Sequence, residues 1–191
     1  MPNFYYPIEV IQLRTEQLAS SHSATFGTVR NNNTTNHQGW DLFAPSGTRC
    51  YAIAAGHVEW IRNNGAYGQQ LAISFNRDGS DGTSNDPLIA FYAHLQPGSI
   101  VVTQGANVTA GQFVALTGVS GNASANAPHL HYETRTTNAQ LAGPGLTNRI
   151  DPGEVLGHGL YNSHHVQIGG SDAQRQMSVM RGRATPVFRR L

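Results

Sequence analysis

Short stretches rich in β-branched and aromatic residues, separated by turn residues, dominate the pattern of hydrophobic and polar positions along the chain. Glycine, asparagine and proline lie between these stretches, and the chain contains 21 glycines. This rhythm is typical of a turn-rich sheet protein. It predicts an all-β core from about residue 25 to residue 155, with strands at 48–54, 57–62, 70–75, 88–93, 113–117 and 129–135.

Helical periodicity is almost absent from the chain. Residues 9–18 are the only candidate for an amphipathic helix, and the pattern there is weak. A chain of 191 residues suits one compact domain with ordered arms. We divide it into an N-terminal arm at 1–24, a main domain at 25–157 and a C-terminal extension at 158–191 that ends in an arginine-rich tail.

The composition excludes several classes of function. The 12 basic and 11 acidic residues give a formal net charge of +1, whereas a protein that binds nucleic acid usually presents a broad basic face. All the basic residues are arginines, so chemistry that forms a Schiff base on lysine is excluded. Cys50 is the only cysteine, which rules out an internal disulfide and a CxxC zinc site, and its neighbours predict a buried strand. No apolar run approaches the ~20 residues of a membrane span, so we expect no membrane insertion.

Four of the nine histidines lie in patterns that are typical of metal-binding or catalytic sites. The first of these patterns pairs a histidine with a carboxylate. His37 and Asp41 stand four residues apart, with Gly39 between them. In a fully extended strand they would be ~13 Å apart, too far to share a metal ion, so the backbone must bend, most easily at the glycine. The remaining five histidines have no acidic or histidine partner at a useful offset and are interpreted as surface or hydrogen-bonded residues: His22, His57, His158, His164 and His165.

The segment 129–133 (HLHYE) gives a sharper signal. In a strand, His129, His131 and Glu133 fall on one side of the sheet. Two neighbouring imidazoles on one face are a natural place for zinc, although a His-rich strand face without a ligand is an equal alternative for this segment alone. His94 ends an apolar strand just before a turn, where a sheet protein often presents a functional side chain.

Taken together, these motifs resemble a known family, the lysostaphin-like zinc endopeptidases of the LytM and LasA type, which cleave peptide bonds in bacterial cell-wall peptidoglycan. The resemblance runs from about residue 36 to residue 152, and the order and approximate spacing of the motifs both fit. Its segments are 37–41 (HQGWD), 44–48 (APSGT), 55–58 (AGHV), 67–68 (YG), 92–95 (YAHL), 105–112 (GANVTAGQ), 117–118 (TG), 128–133 (PHLHYE) and 151–152 (DP).

The resemblance implies a fold, a metal and a division of roles. The fold would be an antiparallel, β-sandwich-like core with an open groove and few short helices. His37, Asp41 and His131 would hold Zn²⁺, while His94 and His129 would form the catalytic acid/base pair. Three protein ligands leave a fourth zinc position for water, which is the pattern of a catalytic zinc site.

The function that the resemblance implies is zinc-dependent hydrolysis of peptide bonds in peptidoglycan, either in the peptide stem or in a cross-bridge. One alternative is a non-catalytic family member that binds peptidoglycan or activates a partner amidase. Another is a sugar-binding β-sandwich module with an incidental metal. Digestion of crosslinked muropeptides separates all three, because only the enzyme produces new peptide termini.

The route of such an enzyme to its substrate is open, since residues 1–10 lack the basic segment and apolar stretch of a secretory signal. An injected antibacterial effector, with an immunity protein and a secretion apparatus as partners, would explain this, as would a phage lytic enzyme. A signal missing from this sequence would explain it too. In each case we expect the protein to act on peptidoglycan peptides in the periplasm or cell wall.

Overall fold

A computed structural model describes residues 3–80 and 86–156, together with the backbone of two short strands at 166–167 and 176–178. These residues form mostly antiparallel strands with one five-residue α-helix, which confirms the all-β prediction. No helix in this part of the chain is long and apolar enough to cross a membrane. The sandwich-like packing and the open groove remain predictions.

The elements are short and are separated by turns. In chain order the strands are β1 (Asn3–Tyr5), β2 (Val10–Ile11), β3 (Gly27–Arg30), β4 (Thr35–His37), β5 (Trp40–Phe43), β6 (Arg49–Tyr51), β7 (Gly56–Asn64), β8 (Gly68–Asn76), β9 (Pro87–Leu95), β10 (Asn107–Val108), β11 (Phe113–Leu116), β12 (His129–Arg135), β13 (Arg149–Ile150), β14 (Val166–Gln167) and β15 (Gln176–Ser178). A 3-10 helix spans Ser21–Ala24, and helix α1 spans Pro152–Leu156.

One seven-stranded sheet forms the centre of the fold. Its strands follow the order β10-β7-β8-β9-β12-β13, and β5 also pairs with β12. Four further pairs of strands lie outside it: β6 with β11, β3 with β4, β2 with β14 and β1 with β15. Every pairing is antiparallel. Strand β12 thus lies between β9 on one side and the short strands β5 and β13 on the other.

The six strands predicted from the sequence are all present. The observed β12 has its predicted bounds, and β7, β8 and β9 extend a few residues beyond theirs. Cys50 is completely buried within β6, which confirms the core interpretation, and burial raises the pKa of its thiol. It is therefore a packing residue rather than a nucleophile.

The N-terminal segment packs into the main core. The weak helix prediction for residues 9–18 is wrong, because Val10–Ile11 forms a strand and Leu13 pairs with Leu42 of β5. Buried residues of this segment recur every second position from Phe4 to Ile8 and again from Ile11 to Leu13, as in extended chain. Its buried members in the core are Phe4, Tyr6, Ile8, Ile11 and Leu13. The division at residues 24 and 157 remains a prediction, but residues on both sides of position 24 share one core.

Candidate metal centre and active site

Three adjacent strands carry four of the five predicted site residues. β12 contributes His129 and His131, and His131 lies opposite Asp41 of β5 on one side and Ala93 of β9 on the other. His94 is the next residue of β9. The antiparallel register therefore gathers residues that are up to 90 positions apart in the chain.

The bend predicted between His37 and Asp41 is present. β4 ends at His37, and β5 begins at Trp40 after two residues outside either strand. A Cβ atom on Gly39 would collide with the carbonyl oxygen of Tyr132. Glycine at this position therefore lets the chain turn closely against β12 and return His37 toward Asp41.

The three predicted metal ligands form a tight buried cluster. Nε2 of His37 lies 3.1 Å from Oδ1 of Asp41 and 3.3 Å from Nδ1 of His131. Nδ1 of His131 lies 2.9 Å from the same carboxylate oxygen. Zinc bonds of ~2.0–2.1 Å at tetrahedral angles place neighbouring ligand atoms about 3.3 Å apart, so the spacing suits a small cation.

The outer hydrogen bonds of the two histidines determine which ring nitrogen faces this cluster. Nδ1 of His37 donates to the carbonyl oxygen of Thr25 at 2.8 Å, and Nε2 of His131 donates to Oε1 of Glu133 at 2.9 Å. In the neutral form of each ring, the inner nitrogen therefore has a lone pair and no proton. With both rings in this form, two nitrogen lone pairs and a carboxylate oxygen converge, an arrangement that fits the donor set of zinc. Without a cation, the carboxylates of Asp41 and Glu133 instead favour a proton on both nitrogens of His131.

His94 and His129 lie beside the cluster, and their ring centroids are 4.8 Å apart. Nδ1 of His94 donates to the carbonyl oxygen of Ser120, and Nδ1 of His129 donates to that of Ala127, each at 2.9 Å. Each bond leaves Nε2 as the nitrogen with the lone pair. Nε2 of His129 is 3.7 Å from Oδ1 of Asp41, so the pair adjoins the three predicted ligands without joining them.

Burial controls the charge of these histidines. Desolvation, with the charges of His131 and His129, lowers the pKa of His94 to about 3. Desolvation also lowers the pKa of His129 to about 4 although Asp41 opposes the shift. Burial also tends to lower the pKa of His131. The hydrogen bonds and charges of Asp41 and Glu133 outweigh this effect and raise the pKa of His131. His94 and His129 are therefore neutral at pH 7.

The lowered pKa values predict that the metal-free protein loses stability as the pH falls. Unfolded histidines, with a pKa of about 6.5, bind protons below that pH, whereas folded His94 and His129 do not until about pH 3 and 4. The free energy of unfolding should decrease from pH 6.5 to 4.5 by an amount on the order of 2 kcal/mol for each histidine. The raised pKa of His131 acts above pH 6.5, outside this window.

Urea unfolding of chelator-treated protein at several pH values measures this slope. The variant His129→Asn should flatten it, while His57→Asn, at a side chain that is 47% exposed, should not. A free energy of unfolding that stays constant between pH 6.5 and 4.5 would contradict the burial of two neutral imidazoles.

The backbone of His94 lies in the left-handed region, with φ of 59°. Its N–H donates to the carbonyl of Tyr67 and its carbonyl accepts from the N–H of Gly118, each at 2.9 Å, so both sides of the residue are fixed. A left-handed conformation costs a residue with a Cβ roughly 1–2 kcal/mol, and such conformations cluster at active sites. In this conformation the His94 ring lies 4.8 Å from the His129 ring and 6.0 Å from the His131 ring, between centroids.

This strain predicts an unusual order of stability for two substitutions. His94→Gly should be more stable than His94→Ala by about 1 kcal/mol, because glycine adopts positive φ without penalty. The neighbouring Ala93 has no positive φ, so Ala93→Gly should be destabilising there. Urea midpoints of the three variants give the comparison, and equal midpoints for the two His94 variants would show that the strain is absent.

Two arginines bind the outer oxygen of Asp41. Nη2 of Arg14 lies 2.8 Å and Nη2 of Arg30 lies 2.6 Å from Oδ2. This leaves Oδ1 to face His37 and His131, so the carboxylate offers one oxygen to the cluster. The charges of the histidines and their hydrogen bonds outweigh burial and hold the pKa of Asp41 well below its usual range.

Sequence reasoning missed these supporting groups. Arg30 ends the short strand β3, and Arg14 directly follows the bridge residue Leu13 within the segment 9–18, whose pattern suggested a weak helix. The carbonyl acceptors of Thr25, Ser120 and Ala127 belong to the backbone and have no residue signature. Of the histidines set aside, His57 is exposed on β7 and His22 lies in the 3-10 helix. The other three, His158, His164 and His165, lie outside the described residues.

Comparison with known proteins finds a family match over more than half of the chain. The sequence profile of peptidase family M23 matches residues 35–143, which include all five predicted site residues. No curated protein sequence matches the chain.

Several solved structures have a similar fold. The catalytic domain of the prophage-encoded M23 protein EnpA from Enterococcus faecalis, in a mutant form, is 25% identical with a TM-score of 0.54, covering 79% of this chain and 93% of that one. The catalytic domain of the antimicrobial peptidase lysostaphin from Staphylococcus simulans is 26% identical with a TM-score of 0.52, covering 71% and 90%. A zinc-containing peptidase from Vibrio cholerae is 28% identical with a TM-score of 0.52, covering 71% and 37%.

The family assignment rests on the extent of the profile match and on the fold. The matched region is more than half of the 191 residues and contains the central strands of the seven-stranded sheet. The fold of the described residues agrees with that of the solved M23 peptidases. The chain therefore belongs to peptidase family M23.

Proposed function

We propose that this protein is a zinc-dependent endopeptidase that hydrolyses peptide bonds of bacterial cell-wall peptidoglycan. The observation that carries the proposal is the convergence of three metal-ligating atoms within 3.3 Å of one another, with two neutral imidazoles beside them. Membership of a peptidase family supports the reaction type. The peptidoglycan substrate follows from the motif resemblance.

His37, Asp41 and His131 would hold the zinc through Nε2, Oδ1 and Nδ1. When bound, zinc lowers the pKa of a coordinated water toward ~7 and polarises a carbonyl oxygen. Arg14 and Arg30 fix the carboxylate through its other oxygen, so the ligand cannot rotate away. Their charges also partly offset that of Asp41, which keeps the site positive.

In this proposal His94 and His129 carry out the proton transfers. Both are neutral at pH 7, and both have Nδ1 occupied by a backbone carbonyl, so Nε2 is the atom that accepts a proton. In the proposal, one Nε2 takes the proton of the attacking water and the pair later returns a proton to the leaving amine. The imidazolium that this transfer forms would stabilise the neighbouring oxyanion until its proton passes to the leaving amine.

The proposed setting is the periplasm or cell wall. EnpA, one of the structural relatives, is prophage-encoded, and lysostaphin is an antimicrobial peptidase. These relatives support a lytic or antibacterial role, either as a phage enzyme or as an injected effector with a cognate immunity protein. Co-purification with products of neighbouring genes tests the effector version, and the lack of any inhibitor among them would count against it.

Digestion of purified peptidoglycan tests the enzymatic proposal. Walls of defined cross-bridge chemistry are incubated with the zinc-containing protein, and mass spectrometry locates new amino termini. We expect new termini that disappear after chelation and return when zinc is added. Binding to the wall without new termini would instead support a non-catalytic family member, and turnover that chelation leaves unchanged would end the zinc proposal.

A further inference from the structure

Glu133 is a charged residue at the site that has no part in the proton transfers. It lies two positions beyond His131 on β12 and is completely buried. A carboxylate removed from water costs several kcal/mol unless opposite charges and hydrogen bonds compensate. Its presence beside the metal cluster therefore requires a physical reason.

Four donors surround the Glu133 carboxylate. Oε1 accepts from Nε2 of His131 at 2.9 Å and from the Tyr67 hydroxyl at 2.6 Å. Oε2 accepts from Nε of Arg135 at 2.6 Å and from Nε of Arg149 at 2.8 Å. A carboxylate has about four lone-pair sites, so this one is fully satisfied and has only one orientation.

The two arginines are themselves fixed. The guanidinium carbon of Arg135 lies 3.5 Å from the ring centroid of Phe91, and the side chain is buried. Nη1 of Arg149 donates to three carbonyls in the loop before β13, those of Gly143, Gly145 and Thr147, at 3.0, 3.2 and 3.0 Å. The Glu133 carboxylate is therefore anchored to β9 on one side and to this loop on the other.

We propose that Glu133 is a positioning residue that presents His131 to the metal with Nδ1 inward and Nε2 protonated. This inference rests on the proposed function and deepens it. A carboxylate on the outer nitrogen of a ligating histidine fixes the tautomer and ring orientation and makes the inner nitrogen more basic. Arg135 and Arg149 act one step further out, by preventing the carboxylate from turning toward another donor.

The variant Glu133→Gln tests the inference through metal affinity. Glutamine keeps the volume, but it offers only one acceptor oxygen and brings an NH₂ group among four donors. We expect zinc affinity to fall by about 10- to 100-fold in competition with a chromophoric chelator. The exposed helix residue variant Glu154→Gln should bind zinc as the unchanged protein does. A folded Glu133→Gln protein with unchanged affinity would overturn the proposal.

A second measurement does not depend on the folding of a variant. Long-range ¹H–¹⁵N correlation spectra of the unchanged, zinc-containing protein assign the tautomer of each histidine. The proposal expects His131 to be protonated at Nε2, and a ring protonated at Nδ1 would overturn it. Both measurements report on metal binding rather than on turnover. The protein can therefore fail to digest walls while Glu133 still positions His131, and it can digest walls although Glu133 has no such role.

Discussion

His129→Ala and His94→Ala should each lower the rate of peptide-bond hydrolysis by about 10²- to 10⁴-fold while the protein keeps about one zinc ion per chain. The reason is geometric, because both rings lie beside the cluster but hydrogen bond outward to the carbonyls of Ala127 and Ser120. Removing either ring therefore takes away a proton acceptor and leaves the three ligating atoms in place.

His131→Ala provides the contrasting result. It removes Nδ1 from the centre of the cluster, so we expect both zinc and activity to be lost. His57→Ala, at the exposed end of β7, should change neither quantity. Zinc content by atomic emission and turnover on purified walls separate these classes. Loss of zinc in His129→Ala or His94→Ala would mean that the roles of ligand and base are exchanged.

The parts of the fold that could be predicted from sequence are those with long, regular patterns. β7, β8, β9 and β12 each have seven to nine residues with strong β propensity, and all four were found. Strands of two to four residues, such as β2, β3 and β13, contain too few positions for periodicity to show. Their existence is determined by pairing with distant strands.

The candidate site also has features that local sequence patterns predict and features that depend on which strands pair. Period-two alternation placed His131 and Glu133 on one face, and the bond between them agrees with this. The distance argument required a bend between His37 and Asp41, and the bend is present. No local pattern could show that Asp41 would lie opposite His131, because this depends on which strands pair. Only the family resemblance supplied that information.

Neither the local sequence patterns nor the family resemblance could identify the arginines that bind Asp41. Arg14 belongs to the segment 9–18 that was assigned as a weak helix, and its contact requires Leu13 to pair with Leu42 in extended conformation. Its backbone N–H also donates to the carbonyl of Asp41. An N-terminal arm that looks separable in the sequence thus supplies part of the support of the metal cluster.

This integration predicts a large loss of stability when the arm is weakened. Ile11→Ala and Leu13→Ala should each reduce the free energy of unfolding by about 2–5 kcal/mol, because both side chains are completely buried and their removal leaves cavities. A domain typically has about 5–15 kcal/mol of stability, so either change is severe. Val10→Ala is the matched control: Val10 is the other residue of β2 and is 39% exposed, so its variant should lose well under 1 kcal/mol.

Urea unfolding of the three variants measures these differences, and zinc competition on the same proteins adds a functional measurement. Leu13→Ala should weaken zinc binding as well, because Leu13 holds the backbone that brings Arg14 to Asp41. Ile11→Ala, two residues further from the cluster, should weaken it less. If Leu13→Ala lowers stability by less than 1 kcal/mol, the arm is only loosely docked, and the support that Arg14 gives to the carboxylate has no structural basis.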